Sequence, residues 1–222
     1  MYKIIVFDFD GVLVDSNRIK HEAWYDVFGE LPENEKLAAY EFFPKIDGDS
    51  PNRTRRVILD GVFRALGRPE HQLSELVEIY SAKYNAITQA GILKLGLISG
   101  AMKTLEDLSK KYHLYLNSST PIDALNESVD NLEIRKYFSG IYGRPETKES
   151  ALEKIFAIEN VDGSQVVFVG DAEADRNAAG AYGCFFIGIL SGFTNWTKNE
   201  KFVTVESVRD IPSIINEKEV AR

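Results

Sequence analysis

The chain has 222 residues, of which 44% are hydrophobic and 27% are charged, a composition typical of a folded globular protein and not of a disordered one. Its 34 acidic residues outnumber its 26 basic residues and give a net charge of −8, so we expect no nucleic-acid partner, because a phosphate backbone would be repelled. The single cysteine excludes an intrachain disulfide. No segment approaches the roughly 20 apolar residues that cross a bilayer, so we expect a cytoplasmic protein without a membrane partner. We expect a monomer or a weak homo-oligomer.

Four apolar runs predict the strands of a parallel sheet. Their apolarity is continuous rather than alternating, which is typical of strands that are buried on both faces. Helical patterns lie between these runs, for example at Leu105 and Leu108. Strands that alternate with helices predict an α/β core with a doubly wound, Rossmann-like sheet. The four runs are residues 4–7, 114–116, 166–169 and 184–190.

The segment that follows the first strand has a different pattern. Three stripes of apolar residues at helical spacing begin at Ile19, Ile58 and Leu73, and no convincing strand interrupts them. We therefore predict a helical cap that is inserted into the α/β core. The predicted domains are a catalytic core of residues 1–15 and 92–222 and a helical cap of residues 16–91.

The first strand ends in Asp8-Phe9-Asp10-Gly11. Because side chains alternate along an extended backbone, Asp8 and Asp10 leave the strand end on the same side. Two carboxylates this close repel each other unless a proton or a cation lies between them, and a hard ion such as Mg²⁺ prefers oxygen ligands. The pair therefore indicates a magnesium site, with a turn of two solvated acids as the alternative.

Two polar features of the second half of the chain suit an anion. Ser118 and Ser119 follow a predicted strand with hydroxyl and amide donors, although taken alone they fit an ordinary turn or helix cap better. Lys148 lies in the first turn of a predicted helix, the unfavourable end of the helix macrodipole for a cation. This position indicates either an anionic partner or a solvated surface lysine.

A fourth polar cluster follows the predicted strand at 166–169. Asp171 lies at the tip of this strand and Asp175 one helical turn later, which is typical of a metal ligand that is backed by a second acid. In open α/β sheets the ligand crevice lies beyond the carboxyl ends of the strands. We therefore expect Asp8, Ser118 and Asp171 to converge at one edge of the sheet.

In this order the four clusters resemble those of the haloacid dehalogenase superfamily, in the helical-cap branch that contains β-phosphoglucomutase and phosphoglycolate phosphatase. The resemblance covers nearly the whole chain and is most specific in the run from Asp8 to Ser16, Asp-Phe-Asp-Gly-Val-Leu-Val-Asp-Ser. It implies a Mg²⁺-dependent phosphatase that acts on a small phosphorylated metabolite, such as a sugar phosphate or phosphoglycolate.

The resemblance also implies a role for each residue. Asp8 would attack phosphorus and form an aspartyl-phosphate, and Asp10 would protonate the leaving group and then activate water. Ser118 and Lys148 would hold the phosphoryl oxygens. The implied Mg²⁺ ligands are Asp8, the Asp10 carbonyl oxygen and Asp171. Asp175 would orient Lys148 or a metal-bound water. The expected substrate contacts come from Gly11, Ser119 and Arg53.

Other functions stay open at this stage. Asp10 argues against dehalogenases and phosphonatases, but β-phosphoglucomutase-like mutases share it. The histidine that mutases typically carry ten residues later is replaced here by Lys20, with His21 one position on. A phospho-accepting signalling domain uses similar residues, but its accepting aspartate usually follows a middle strand. A non-catalytic binding protein would keep the fold, although all four motif positions are filled here.

A small basic group lies within the predicted cap. Arg53, Arg55 and Arg56 come close together in an otherwise acidic chain. They could hold a second anionic group of the substrate, a carboxylate or a phosphate. A solvated helix start explains them slightly better.

Overall fold

The computed structural model of the protein describes residues 1–46 and 54–221, with residues 43–46 described by their backbone alone. Spatial proximity divides the chain into two compact units, one formed by Met1–Asn17 and Ile92–Arg222 and the other by Arg18–Gly91. The chain first passes from one unit to the other between Asn17 and Arg18, two residues after the predicted boundary between residues 15 and 16. The roles assigned to the two units, a catalytic core and a cap, stay predictions.

The secondary structure is an alternation of strands and helices, with an all-helical stretch after the first strand. The strands are β1 (Ile4–Phe7), β2 (His113–Pro121), β3 (Phe138–Arg144), β4 (Val166–Gly170), β5 (Phe185–Ile189) and β6 (Val203–Val205). The α-helices are α1 (Asn17–Phe28), α2 (Glu33–Ile46), α3 (Arg55–Ala65), α4 (Glu70–Leu95), α5 (Ala101–Leu108), α6 (Ile122–Asn131), α7 (Lys148–Glu159), α8 (Glu173–Ala181) and α9 (Ile211–Val220).

All six strands join one parallel sheet in the order β3-β2-β1-β4-β5-β6. The predicted α/β fold with a doubly wound, Rossmann-like sheet is therefore confirmed. The sequence did not predict β3 and β6, which are the two edge strands. β3 contains two glycines and is mostly half-buried, and β6 has three residues, so neither presents the long apolar run of a central strand.

The central strand β1 is buried on both faces. Ile5 and Phe7 pack into an apolar cluster with residues of α5, whereas Ile4 and Val6 pack into a second cluster with residues of α7. All four side chains are fully buried. This two-sided burial is the reason why the first strand is continuously apolar. The end of β1 lies in the middle of the sheet.

The second unit has an apolar core of its own. Its regular elements, among the residues that the structure describes, are helices alone. The core contains Trp24 and Phe28 of α1, Phe63 of α3, and Tyr84 of α4. The Trp24 and Tyr84 rings lie 4.5 Å apart between centroids, in the range in which aromatic pairs add to the burial of their area. No helix within the described residues is long and apolar enough to span a membrane.

Candidate active site

The parallel register brings three strand ends to the same level. Phe7 of β1 lies opposite Leu116 of β2 on one side and Val169 of β4 on the other. The amide of Asp8 still donates to the Val169 carbonyl oxygen at 2.8 Å. Asp8 therefore leaves the centre of the sheet between the residues that follow Leu116 and those that follow Val169.

Lys148, the first residue of α7, is buried against two carboxylates. Its Nζ lies 2.6 Å from Asp175 Oδ1 and 3.2 Å from Asp8 Oδ1. The same ammonium donates to the Asn117 carbonyl oxygen at 3.0 Å, and the Asn117 side-chain amide donates to the Lys148 carbonyl oxygen at 2.9 Å. The ammonium thus donates to one carbonyl oxygen and lies within ion-pair distance of two carboxylates. The two carboxylates offset the unfavourable position of a cation at a helix N-terminus.

The charges at this edge of the sheet do not balance. Burial alone would lower the pKa of Lys148, but the carboxylates of Asp175 and Asp8 outweigh burial and raise it. Burial, followed by the charge of Asp175, raises the pKa of Asp8 to about 7 although Lys148 opposes this. Burial, followed by the charge of Asp8, raises the pKa of Asp171 to about 7. The site therefore has an excess of buried negative charge that favours a proton or a cation.

These pKa shifts predict how stability changes with pH. Asp8 and Asp171 have folded-state pKa values of about 7 against an ordinary value of 3.8. Between these values the folded chain binds more protons than the unfolded chain, so without a bound cation the free energy of unfolding should fall as the pH rises from about 4 to about 7. Urea unfolding with a chelator across this range measures the slope. Asp171→Asn should make the slope shallower, because only Asp8 of this pair then contributes, and a stability that rises with pH would contradict the pKa shifts.

Asp171 and Asp10 are held by different polar side chains. Oδ2 of Asp171 accepts hydrogen bonds from Asn17 and Ser191. Asp10 accepts from the Ser16 hydroxyl at Oδ1 and from the Thr120 hydroxyl at Oδ2, the latter at 2.8 Å. Both carboxylates therefore have defined orientations, and Asp10 is the more exposed of the two.

Gly11 allows the chain to turn tightly beneath Asp171. Its φ is +71°, and a Cβ at this position would collide with Asp171 Oδ2 and Asn17 Nδ2. The glycine is therefore required both by its left-handed backbone and by the close approach of two polar side chains. The substrate contact predicted for Gly11 stays a prediction.

Substituting Gly11 by alanine should destabilise the fold. We expect a loss of about 2–5 kcal/mol in the free energy of unfolding, from left-handed strain of about 1–2 kcal/mol and overpacking of about 1–3 kcal/mol. Urea unfolding measures it. Gly183→Ala is the matched control, because Gly183 has a φ of +70° but no described atom within 4 Å of its Cβ position. Equal losses in the two variants would contradict the importance of the close approach.

The remaining predicted site residues are placed as follows. Ser118 is buried near the end of β2, where its Oγ accepts from the Thr120 amide at 3.2 Å, and Ser119 is exposed with its carbonyl oxygen bound by Arg144. Arg53 lies outside the described residues. In the second unit, Arg55 stacks on the Tyr84 ring at 4.3 Å and Arg56 pairs with Glu78.

Sequence reasoning missed five side chains that hold the site. Ser16 is the last residue of the first motif, Asn17 follows it, and Asn117 and Thr120 flank Ser118-Ser119. Their nearness to these motifs was an available signal. Ser191 lies 20 residues after Asp171 in the chain, and its hydroxyl donates to Asp171. Nothing in the local sequence around Ser191 pointed to the site.

The site offers oxygen ligands to a metal ion. Carboxylate oxygens of Asp8, Asp171 and Asp175 lie within 4.8 Å of one another, and all three residues are buried. These buried carboxylates have raised pKa values, and one lysine neutralises only part of their negative charge. A hard divalent cation prefers such oxygen ligands and would stabilise their charge. The residues present therefore fit Mg²⁺.

Comparisons with known proteins show the family to which this chain belongs. The model of the haloacid dehalogenase-like hydrolase family matches residues 5–189. A phosphoglycolate phosphatase of Pseudomonas fluorescens is 26% identical over 203 residues, which cover 87% of this chain and 71% of that protein. The family match and this relative together support the conclusion that the chain is an enzyme, a phosphatase.

Solved structures share the fold over almost the whole chain. A haloacid dehalogenase-like hydrolase of Streptococcus pneumoniae is 25% identical, with a TM-score of 0.69 and coverage of 96% of this chain and 98% of that one. A HAD-hydrolase of Bacillus subtilis bound to magnesium has a TM-score of 0.72 at 14% identity and covers 97% of this chain and 99% of that one. The resemblance inferred from the motifs is thus confirmed: this chain belongs to the haloacid dehalogenase-like hydrolase family.

Proposed function

We propose that the chain is a Mg²⁺-dependent phosphomonoesterase that acts on a small phosphorylated metabolite, phosphoglycolate or a sugar phosphate, through an aspartyl-phosphate at Asp8. The observation that carries the proposal is the contact between the buried Asp8 carboxylate and Lys148 at the carboxyl end of the central strand. A nucleophile and a cation for the incoming phosphoryl group meet there. The P. fluorescens relative supports the substrate class.

The hydrogen bonds of Asp8 leave one of its oxygens for the substrate. Oδ1 accepts from the Phe9 amide at 2.7 Å and faces Lys148 at 3.2 Å. No donor in the described ranges reaches Oδ2. In our proposal Oδ2 attacks phosphorus in line, so that a new O–P bond forms as the bond between phosphorus and the leaving oxygen breaks. Lys148 and the buried Ser118 stabilise the phosphoryl oxygens during this transfer.

Asp10 is the proposed acid and base. In the first step its carboxyl proton goes to the departing alkoxide, and in the second step its carboxylate takes a proton from the water that attacks the aspartyl-phosphate. These steps release the alcohol and then inorganic phosphate, and they restore Asp8. The hydroxyls of Ser16 and Thr120, one on each carboxylate oxygen, support a fixed orientation for both proton transfers.

The proposed ligands of Mg²⁺ are the carboxylates of Asp8 and Asp171 and the main-chain oxygen of Asp10. Asp175 belongs to the same acidic group, but its Oδ1 faces Lys148 and its Oδ2 accepts from the Ala172 amide at 3.0 Å. We therefore assign Asp175 to holding Lys148. When bound, the ion would neutralise charge between the nucleophile and the phosphoryl group.

A turnover screen tests the proposal. Phosphoglycolate, sugar phosphates and nucleotides are offered to the protein with Mg²⁺ and with a chelator, and inorganic phosphate is measured. We expect release from one of the small phosphoesters, and only with the metal. Release that persists in the chelator would contradict the mechanism. Conversion of a sugar phosphate into its isomer without net phosphate release would instead favour a mutase.

A further inference from the structure

One oxygen of Asp171 receives all the hydrogen bonds of its carboxylate. Asn17 Nδ2 donates to Oδ2 at 2.9 Å, and Ser191 Oγ donates to the same atom at 2.7 Å. Two donors occupy both lone pairs of Oδ2. No donor from the part of the chain that the structure describes reaches Oδ1. The carboxylate is therefore fixed in orientation and keeps one oxygen open.

The loop that carries Ser191 is built around Asp171. The amide of Phe193 donates to Ser191 Oγ at 3.2 Å, so the hydroxyl keeps its own hydrogen for Asp171. Thr194 Oγ1 donates to the Asp171 carbonyl oxygen at 3.3 Å. Gly192 has a φ of +80°, which lets the loop turn back between these two contacts. One short loop thus binds both the side chain and the main chain of Asp171.

Asn17 reaches Asp171 from a separate part of the chain. It is the first residue of α1, and its side-chain amide passes over the Cα of Gly11, where a Cβ would collide with it. Two segments, which precede and follow Asp171 by 154 and 20 residues, therefore hold the same oxygen. An ordinary solvated carboxylate needs neither of these contacts.

We propose that Asn17 and Ser191 are positioning residues for the metal ion, because by binding Oδ2 they direct Oδ1 of Asp171 toward the cation and fix this carboxylate as a single-oxygen ligand. The inference rests on the proposed Mg²⁺-dependent function. Neither residue lies in the motifs that the sequence analysis identified. Loss of a side chain that orients a metal ligand typically weakens metal affinity by about 10–100-fold.

The test measures Mg²⁺ affinity rather than activity. Calorimetric titration of the whole chain should give a Kd that is weaker by about tenfold or more in Asn17→Ala and in Ser191→Ala. Ser128→Ala is the matched control, since Ser128 is a buried serine whose hydroxyl donates to the Ala124 carbonyl oxygen within α6. Its Kd should equal that of the parent.

A pair of equal-sized side chains separates the hydroxyl from packing. Ser191→Thr keeps the hydroxyl and Ser191→Val removes it, so Thr should bind Mg²⁺ within about threefold of the parent and Val about tenfold more weakly. The inference is overturned if the Thr and Val variants bind Mg²⁺ equally. It is also overturned if Asn17→Ala and Ser191→Ala lower the melting temperature of the metal-free chain without changing the Kd.

The failure of this inference differs from that of the proposed function. If the parent chain itself does not bind Mg²⁺, the proposed metal-dependent function falls with it. If the parent binds Mg²⁺ and the substitutions at Asn17 and Ser191 leave the Kd unchanged, only the positioning role falls. Both outcomes are read from the same titrations.

Discussion

Replacing Asp8 by asparagine should lower kcat by at least about 10⁴-fold, since loss of a covalent nucleophile removes the entire two-step pathway. The amide oxygen of asparagine is a poor nucleophile. Asparagine has the same shape, so the fold should persist. The metal-free variant should even be more stable than the parent, because burial and the charges of Asp175 and Asp10 oppose an ionised Asp8.

Steady-state turnover and thermal unfolding together measure this prediction. Asp15→Asn is the matched control, because Asp15 is an exposed aspartate of the same motif and should tolerate the change in both assays. An Asp8→Asn enzyme that keeps more than about a tenth of the parental kcat would contradict a nucleophilic role. A variant that is inactive because it is unfolded would be recognised by its lost thermal transition.

Replacing Lys148 by methionine should damage both stability and turnover. The substitution leaves Asp8 and Asp175 buried without their shared cation, and removing one partner of a buried ion pair costs about 3–5 kcal/mol. Loss of the charge that we propose to hold the phosphoryl oxygens should lower kcat by about 10²–10³-fold. Urea unfolding of the metal-free protein and steady-state kinetics measure the two effects.

The stability cost of Lys148→Met should depend on pH with a defined sign. Burial raises the pKa of both Asp8 and Asp175 above the ordinary value, and these carboxyls take up protons as the pH falls. The cost should therefore be largest above about pH 7 and should shrink toward pH 4. Lys154→Met is the control, since Lys154 lies on the same helix but is half exposed and pairs with Glu146. Equal costs in the two variants would contradict the buried ion pair.

The sequence predicted the fold well because the central strands have a strong physical signature. β1 and β4 are buried on both faces, and this burial demands the uninterrupted apolar runs that were recognised. The edge strands β3 and β6 lack this demand, so their sequences carry little signal. The polar residues at the ends of β1, β2 and β4 could be located because they directly follow apolar runs that were recognised as strands.

Side-chain partners at the site were much harder to predict than its location. The unfavourable helix position of Lys148 suggested an anionic partner. The contacts of Lys148 with both Asp175 and Asp8, however, depend on the register of α7 and α8 against the sheet. The hydrogen bond from Ser191 to Asp171 depends on how the loop after β5 turns back. Such contacts arise from packing in three dimensions, which local patterns do not encode.

Covalent trapping tests the central claim most directly. The protein is mixed with its best phosphoester and Mg²⁺ and quenched in acid within one turnover, the acyl-phosphate is reduced with borohydride, and the modified residue is identified by peptide mass spectrometry. We expect that Asp8 alone is converted to homoserine and that Asp8→Asn gives no modified peptide. Modification of a different residue, or rapid phosphate release with no trapped intermediate, would contradict it.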